Sequence, residues 1–135
     1  MPPFSWIILG LVALGGAVGT GARYLIAWWS FQRFGPGFPI ATMAVNIVGS
    51  ALLGLAVAML IEPAGQTATA RWRSAFVAIG FFGGFTTFST FSMDALNLAL
   101  KDRWGAAVFY ITATVFTSLA AAAAGYFIGR LVQGD

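Results

Sequence analysis

The stretch FFGGFTTFSTFS, residues 81–92, decides the fold because it interrupts an apolar run with a glycine pair followed by hydroxyl residues. In hydrocarbon, each unsatisfied backbone group costs several kcal/mol, so a broken helix must be buried or line a watery cavity. Glycine is free in φ/ψ, and threonine hydroxyls can satisfy freed backbone groups. We therefore predict a helix that is broken near Gly83–Thr87. The alternative is a glycine pair inside an intact helix whose hydroxyls bond to i−4 carbonyls.

The composition around this stretch is that of a membrane protein. Of the 135 residues 59% are hydrophobic and only 8% are charged, against about 25% charged in soluble proteins. Uncharged runs long enough to cross a ~30 Å hydrocarbon core occur at 1–22, 34–61, 74–93 and 104–129. We predict an all-α integral membrane protein, a single domain over 1–135, with four transmembrane helices at about 5–29, 40–61, 74–100 and 104–131.

Several classes of protein are disfavoured by what the sequence lacks. It contains no cysteine and no histidine, which excludes thiolate or imidazole metal sites and catalytic arrangements that depend on these residues. The basic residues are scattered singly at the predicted membrane boundaries, so we expect no nucleic acid partner. No lysine or arginine precedes the first apolar run, so we expect no cleavable signal peptide there. An enzyme is the least expected class.

The loop charges do not specify an orientation. With four spans, one side receives Arg71, Arg73 and Arg130, and the other receives Arg33, Lys101 and Arg103. Because the two sides carry three basic residues each, the positive-inside rule favours neither orientation. Either hydrophobicity or the insertion machinery sets the orientation, or the chain inserts both ways and pairs as an antiparallel dimer.

The polar side chains within the spans suit a small anion. Hydroxyls and amides offer neutral donors, and an aromatic ring is positively polarised at its edge. Phe88 and Phe91 are one helical turn apart and can present their edges along one line. A cation pore would use carboxylate rings or convergent carbonyls, and a proton-coupled pump would need an ionisable residue at mid-membrane. A passive anion pathway fits better, with ordinary packing of the phenylalanines as the alternative.

Three motifs, taken together, resemble one family. GGFTTFSTFS (83–92), NIVGS (46–50) and GTGAR (19–23) are similar to those of the Fluc-type bacterial fluoride channels, also called CrcB proteins. The resemblance implies a dual-topology, antiparallel homodimer with two pores in the bacterial inner membrane. It also implies passive export of cytoplasmic fluoride, and thereby resistance to fluoride.

The resemblance also implies roles for individual residues. Phe88 and Phe91 match the pair whose ring edges face fluoride, and Asn46 matches an amide donor in the second span. The hydroxyls of a polar track would be Ser89, Thr90 and Ser92 in span three and Tyr110, Thr114 and Ser118 in span four.

A structural sodium ion is a further implication of the resemblance. Gly83 and Thr86 match positions whose backbone carbonyls hold a central Na⁺ at the dimer interface. A broken helix exposes carbonyls at the negative end of its first half, which suits a cation.

Two charged residues close to the spans need an explanation. Arg23 matches the arginine of the family's first span, where it would attract anions at a pore vestibule; the alternative is that it snorkels to the interface. For Asp94 we expect an arginine as partner.

Two other functions compete with a channel. A small dual-topology multidrug exporter has the same number of spans, but it needs a membrane-embedded glutamate in span one, and residues 1–22 contain no acid. A non-transporting assembly subunit would use its hydroxyl seams for interhelical hydrogen bonds of ~0.6 kcal/mol each.

Overall fold

The computed structural model describes residues 4–61 and 67–134, and in these ranges the chain is helical without strands. The connection between the second and third predicted spans, residues 62–73, falls partly on residues 62–66, which lie outside the described residues. We number the helices as follows: α1 Trp6–Phe34, α2 Ile40–Ile61, α3 over residues 68–85, α4 Phe88–Leu100 and α5 Trp104–Gln133.

Four helical units are long and apolar enough to cross a membrane, which confirms the predicted number of spans. The third unit is Ala68–Leu100, in which α3 and α4 follow one another across the break. It begins six residues before position 74 because Thr67 caps it, its hydroxyl accepting a hydrogen bond from the Ala70 N–H at 3.2 Å. α1 continues past Trp29 to Phe34, and Gly35, at φ 71°, ends it.

Two stretches of helix are wider than an α-helix. Val57–Ile61, at the end of α2, and Ser74–Phe82, within α3, are π-helical. Such turns leave carbonyls without their usual i+4 partners. At the end of α2 the Gln133 side chain donates to the carbonyls of Ala58 and Met59, at 3.2 and 3.1 Å. The apolar periodicity of these segments did not indicate the widening.

Glycines allow α1 to approach α3 backbone to backbone. A Cβ on Gly19 would overlap the Phe81 carbonyl oxygen and lie 2.9 Å from the Phe85 nitrogen. A Cβ on Gly15 would overlap the Phe76 carbonyl oxygen in the same way. This is the small-xxx-small spacing that lets membrane helices pack closely. α1 therefore runs along α3 up to the break.

α2 and α5 form the second close pair. A Cβ on Gly125 would overlap the Ala51 carbonyl oxygen, and one on Gly54 would overlap that of Ala122. The α1–α3 pair and the α2–α5 pair are the most extensive helix contacts of the protomer. The break in the third span lies where the α1–α3 pair meets the α2–α5 pair, and polar side chains lie between the two pairs.

We expect Gly19→Ala to destabilise the fold by about 1–3 kcal/mol, the usual cost of overpacking. The gain in helix propensity, up to ~1 kcal/mol, cannot offset a clash with backbone atoms. Unfolding of the detergent-solubilised protein, followed by circular dichroism, measures the change. Gly10→Ala, on the same helix but with no atom within 4 Å of the added Cβ, is the control and should be neutral or stabilising. Equal effects of the two substitutions would contradict the packing account.

Candidate functional site

The third span is broken at Thr86 and Thr87, within the predicted interval. Gly83–Phe85 is still helical, whereas Thr86 (φ −81°, ψ 160°) and Thr87 (φ −155°, ψ 117°) are extended. The Thr87 hydroxyl then caps α4 by accepting a hydrogen bond from the Thr90 N–H at 3.2 Å. The glycines precede the break rather than form it, and a threonine starts the new helix.

The Asn46 side chain satisfies the backbone of the break. Its Nδ2 donates to the Thr87 carbonyl at 3.1 Å, and its Oδ1 accepts from the Thr87 N–H at 2.8 Å. A side-chain amide thus takes the place of the peptide partners that a continuous helix would supply. Because the amide has two N–H donors, one of them is not used in this clamp.

Arg23 lies at the end of the first half of the broken span. Its Nε donates to the Gly84 carbonyl at 3.0 Å, and the Thr20 hydroxyl donates to the same oxygen at 3.4 Å. A guanidinium here complements the negative end of the α3 dipole. Arg23 also lines a small cavity of about 40 Å³, here called the arginine cavity, together with Thr42, Thr87 and Thr90.

The carbonyls around the break differ in whether they have partners. The Phe82 oxygen accepts from both the N–H and the hydroxyl of Thr86, at 3.0 and 2.8 Å. By contrast, the carbonyl oxygens of Gly83 and Thr86 receive no hydrogen bond from any residue within 4–61 or 67–134. These two acceptors are the pair that the sequence resemblance assigned to a cation.

A cavity of about 230 Å³, here called the central cavity, opens beside the break. It is bounded by α2, the start of α4 and the middle of α5. Nine residues line it: Asn46, Ser50, Thr86, Thr87, Phe88, Phe91, Thr114, Val115 and Ser118. The structure therefore brings together five of the nine predicted pore residues, namely Asn46, Phe88, Phe91, Thr114 and Ser118, with Thr86, a predicted sodium ligand.

Two hydroxyls of this cavity have no partner. The Thr114 Oγ1 and the Ser118 Oγ are buried and make no hydrogen bond within the part of the chain that the structure describes. Their neighbours on α5 behave differently, because Thr112 donates to the Val108 carbonyl at 2.8 Å and Thr117 to that of Ala113 at 2.5 Å. Leaving a buried hydroxyl unpaired costs about 1–3 kcal/mol, so this pair is a candidate for binding a ligand, an ordered water or a group of a second copy.

Phe88 and Phe91 lie side by side at one wall of the central cavity. Their ring centroids are 5.5 Å apart with the planes at 42°. Phe91 is only 6% exposed and also contacts Tyr110, at 5.2 Å between centroids, whereas Phe88 is 77% exposed in the single protomer. One ring is thus fixed by the core, and the other stands at an uncovered surface.

Four of the nine predicted pore residues lie outside the central cavity: Ser89, Thr90, Ser92 and Tyr110. The Ser92 hydroxyl donates to the Phe88 carbonyl at 2.9 Å, and the Ser89 hydroxyl is 3.3 Å from that of Thr87. Tyr110 is fully buried, and its hydroxyl points to Asp94. Their assignment to a polar track remains a prediction.

The prediction that Asp94 pairs with an arginine is wrong. The Asp94 Oδ2 accepts from the Thr42 hydroxyl at 2.7 Å and from the Tyr110 hydroxyl at 3.4 Å, and no arginine in the described ranges forms an ion pair with it. Neutral hydroxyls from α2 and α5 hold the carboxylate instead. They lie far from Asp94 in sequence, so the span pattern could not reveal them.

Two residues that line the cavities, Ser50 and Thr87, were not among the predicted site residues. Ser50 lies one helical turn after Asn46 and lines the central cavity, so the i, i+4 spacing of these polar residues was the available signal. Thr87 lines both the central and the arginine cavity and thereby separates them. No spacing rule identifies such a partition, because it depends on the backbone of the break.

Comparison with known proteins identifies similar chains. The family model described as CrcB-like protein, Camphor Resistance (CrcB), matches residues 10–126. The chain is 45% identical over 124 residues to a protein of Agrobacterium fabrum strain C58 named fluoride-specific ion channel FluC, covering 92% of this chain and 97% of that one. Proteins with the same name are 46% identical over 114 residues in Cereibacter sphaeroides (84% and 87% covered) and 41% over 122 residues in Caulobacter vibrioides (90% and 94%).

We expect Asn46→Ala to destabilise the fold by about 2–4 kcal/mol, because it leaves the Thr87 N–H and carbonyl unpaired inside the bundle. Unfolding in detergent measures the loss. The matched control is Asn97→Ala, which removes an exposed amide that makes no hydrogen bond within residues 4–61 and 67–134 and should change stability by about 0.5 kcal/mol or less. Similar losses for both variants would show that Asn46 is not a clamp.

Proposed function

Because the chain belongs to the CrcB family, we propose that it is a fluoride-specific ion channel through which fluoride leaves the cytoplasm passively. It is a multi-pass membrane protein, and its bacterial relatives are consistent with a location in the bacterial inner membrane. Export down the electrochemical gradient would protect the cell against fluoride. The proposal rests on the family and on one observation, the pair of unpaired hydroxyls in the central cavity.

The cavity offers what a desolvated anion needs. Moving a bare ion into a low-dielectric interior costs tens of kcal/mol in the Born picture, so fixed donors must replace its water. The hydroxyls of Thr114 and Ser118 are buried, one turn apart on α5, and free to donate. Asn46, whose amide has a second N–H beyond the one donated to Thr87, lines the same cavity. We infer that these donors replace, one after another, the water molecules that hydrate fluoride.

Phe88 and Phe91 would act from the α4 wall of the cavity. A ring is negative on its face and positive at its edge, so an anion is attracted to the edge. Fixing the Phe91 ring against Tyr110 limits its rotation, and so the direction in which its edge points. Such a weak attraction suits conduction, since a strongly bound ion would not leave.

The distribution of charge around the central cavity is consistent with conduction of an anion. None of the nine residues that line the central cavity is ionisable. The positive charge of Arg23 lies behind Thr87, in the arginine cavity, where its Nε is bonded to the Gly84 carbonyl. Arg23 can therefore raise the local potential for anions without forming a tight ion pair in the path.

The antiparallel, dual-topology homodimer is part of the proposal. The even distribution of loop charges, three on either side, favours insertion in both orientations. Phe88 is 77% exposed in the protomer although it borders the central cavity. A second copy would cover this ring and complete the wall, and the twofold symmetry would give two pores. Membrane lipid would surround the assembly.

We also propose that a sodium ion binds at the centre of this dimer. The free carbonyls of Gly83 and Thr86 fit the ion, because main-chain oxygens without hydrogen bonds are suitable ligands for a hard cation. Two antiparallel copies would contribute four such oxygens. The ion would supply a fixed positive charge that stabilises the ends of both broken helices.

Purified protein in liposomes loaded with fluoride and sodium should release fluoride and retain chloride, as ion-selective electrodes measure. Phe88→Ile and Asn46→Asp should slow fluoride efflux by at least about tenfold, the effect of losing ~1.4 kcal/mol of ion stabilisation. Phe116→Ile, at an exposed α5 position outside the central cavity, is the control and should keep the rate.

Efflux of chloride as fast as that of fluoride would refute the selectivity. The absence of any flux from the purified protein would favour the assembly subunit. Unchanged rates in both pore variants would refute the assignment of the central cavity while leaving the channel activity standing.

The double variant Thr114→Val, Ser118→Ala separates function from stability. Neither hydroxyl has a hydrogen-bond partner within residues 4–61 and 67–134, so their removal should leave the unfolding free energy unchanged or raised. Fluoride efflux should nevertheless fall by about tenfold or more, since donors to the ion are lost. The control Thr112→Val, Thr117→Val removes hydroxyls that bond to their own helix, and efflux should persist. Normal efflux in the first double variant would contradict the proposal.

A further inference from the structure

Helix α2 carries a second polar residue at the central cavity, which the ion path described above does not use. Ser50 lies one helical turn after Asn46 on the same face of α2, and both residues line the cavity. The Ser50 side chain is partly buried. A serine in this position is either a small residue that lets helices pack or a donor to whatever enters the cavity.

The Ser50 hydroxyl has no hydrogen-bond partner within residues 4–61 and 67–134. Other hydroxyls of the spans bond to the carbonyl four residues earlier, as Ser92 does to Phe88 at 2.9 Å and Thr112 to Val108 at 2.8 Å. Ser50 makes no such bond to the Asn46 carbonyl. Its O–H is therefore left to donate to a group inside the cavity.

The residues on either side of Ser50 fix its position. A Cβ on Gly49 would lie 2.5 Å from the Thr86 Cγ2, so α2 touches the break directly before Ser50. Directly after Ser50, the Ala51 carbonyl approaches Gly125 so closely that a Cβ on this glycine would overlap it. The serine thus stands where α2 packs between the break and α5, and a donor held in place does not have to reorganise when an ion arrives.

The contacts between α2 and α5 define how their residues align. A Cβ on Gly54 would overlap the Ala122 carbonyl oxygen and lie 2.9 Å from the Tyr126 nitrogen, so Gly54 lies between these two residues of α5. Further along both helices, a Cβ on Gly129 would lie 2.7 Å from the Ala58 Cβ. The two helices therefore run in the same direction.

One turn back along both helices, the same alignment sets the polar residues in a row. It places Ser50 between Ser118 and Ala122, and it places Asn46 between Thr114 and Ser118. Four donors then alternate between α5 and α2 in the order Thr114, Asn46, Ser118 and Ser50, and all four line the central cavity. At a rise of 1.5 Å per residue, successive donors are about 3 Å apart along the helix axes.

The row ends at Ser50. One turn further, the backbones of α2 and α5 touch at Gly54 and Ala122, and neither residue has a polar side chain. Ser50 is consequently the last group between these helices that can donate to an ion at this end of the cavity.

We propose that the Ser50 hydroxyl is a further fluoride-binding group, the terminal donor of the row on α2 and α5. Fluoride passes between Ser118 and Ser50, and at Ser50 it exchanges this last protein donor for water. The inference rests on the proposed channel function and adds to it a residue of this chain that the three motifs did not assign.

Fluoride efflux from liposomes tests the proposal with Ser50→Ala, which removes the hydroxyl and keeps the Cβ. The rate, measured with a fluoride electrode, should fall about tenfold, which corresponds to a loss of ~1.4 kcal/mol in the stabilisation of the ion. The unfolding free energy should stay unchanged or rise, because no hydrogen bond within the described ranges is lost and alanine is the better helix former.

Ser74→Ala is the matched control. Ser74 is also a partly buried serine of a spanning helix, but it does not line the central cavity. This variant should keep the efflux rate of the unsubstituted protein. Size-exclusion chromatography in detergent should show the same assembly for both variants.

A normal rate in Ser50→Ala would overturn the proposal and show a hydroxyl that is only solvated. An equal loss of efflux in Ser74→Ala would overturn it too, as would slow efflux of Ser50→Ala accompanied by lower stability or a dissociated assembly, since the serine would then serve packing. If the unsubstituted protein releases no fluoride, the proposed function itself fails, and this result is distinct from an active protein that tolerates Ser50→Ala.

Discussion

The whole arrangement depends on satisfying the backbone of an interrupted helix in a medium without water. At Thr86 and Thr87 the chain leaves the helix; the Thr86 N–H keeps its bond to the Phe82 carbonyl, and side chains from two other spans bind other backbone groups of the break. Asn46 takes both backbone groups of Thr87, while Arg23 takes the carbonyl of Gly84. The break is consequently a rigid feature, fixed by α1 and α2, and not a flexible joint.

The site separates two kinds of polar group. Those that hold the backbone, such as Asn46 and Arg23, are engaged in hydrogen bonds. Those on the opposite wall, Thr114 and Ser118, are left without partners in the described part of the chain, although their neighbours on α5 are satisfied within the helix. A protein that only needed to assemble its helices would gain stability by pairing these hydroxyls. Leaving these hydroxyls unpaired therefore lowers the stability of the fold, and binding of a passing ligand can explain why they are kept.

Much of this could be predicted from the sequence, since hydrophobic runs and glycine–hydroxyl clusters act locally. The four spans and the position of the break followed from such patterns, and Asn46 lies beside the break. The partners of Asp94 could not be predicted, because Thr42 and Tyr110 meet it only through the tertiary packing. The π-helical turns were missed because widening preserves the apolar character of a segment. Thr87 separates the central cavity from the arginine cavity because Thr86 and Thr87 are extended. The spacing of apolar and polar residues in the sequence does not predict in which direction these two residues run.

The wide turn at the end of α2 has a consequence for the order of assembly. Gln133, which fills the acceptors of this turn, lies 75 residues after Ala58 and 74 after Met59. During synthesis, α2 is made long before Gln133, so these two oxygens need contact with headgroups or water until α5 arrives. This polar contact between α2 and α5 can therefore form only after α5 has been translated.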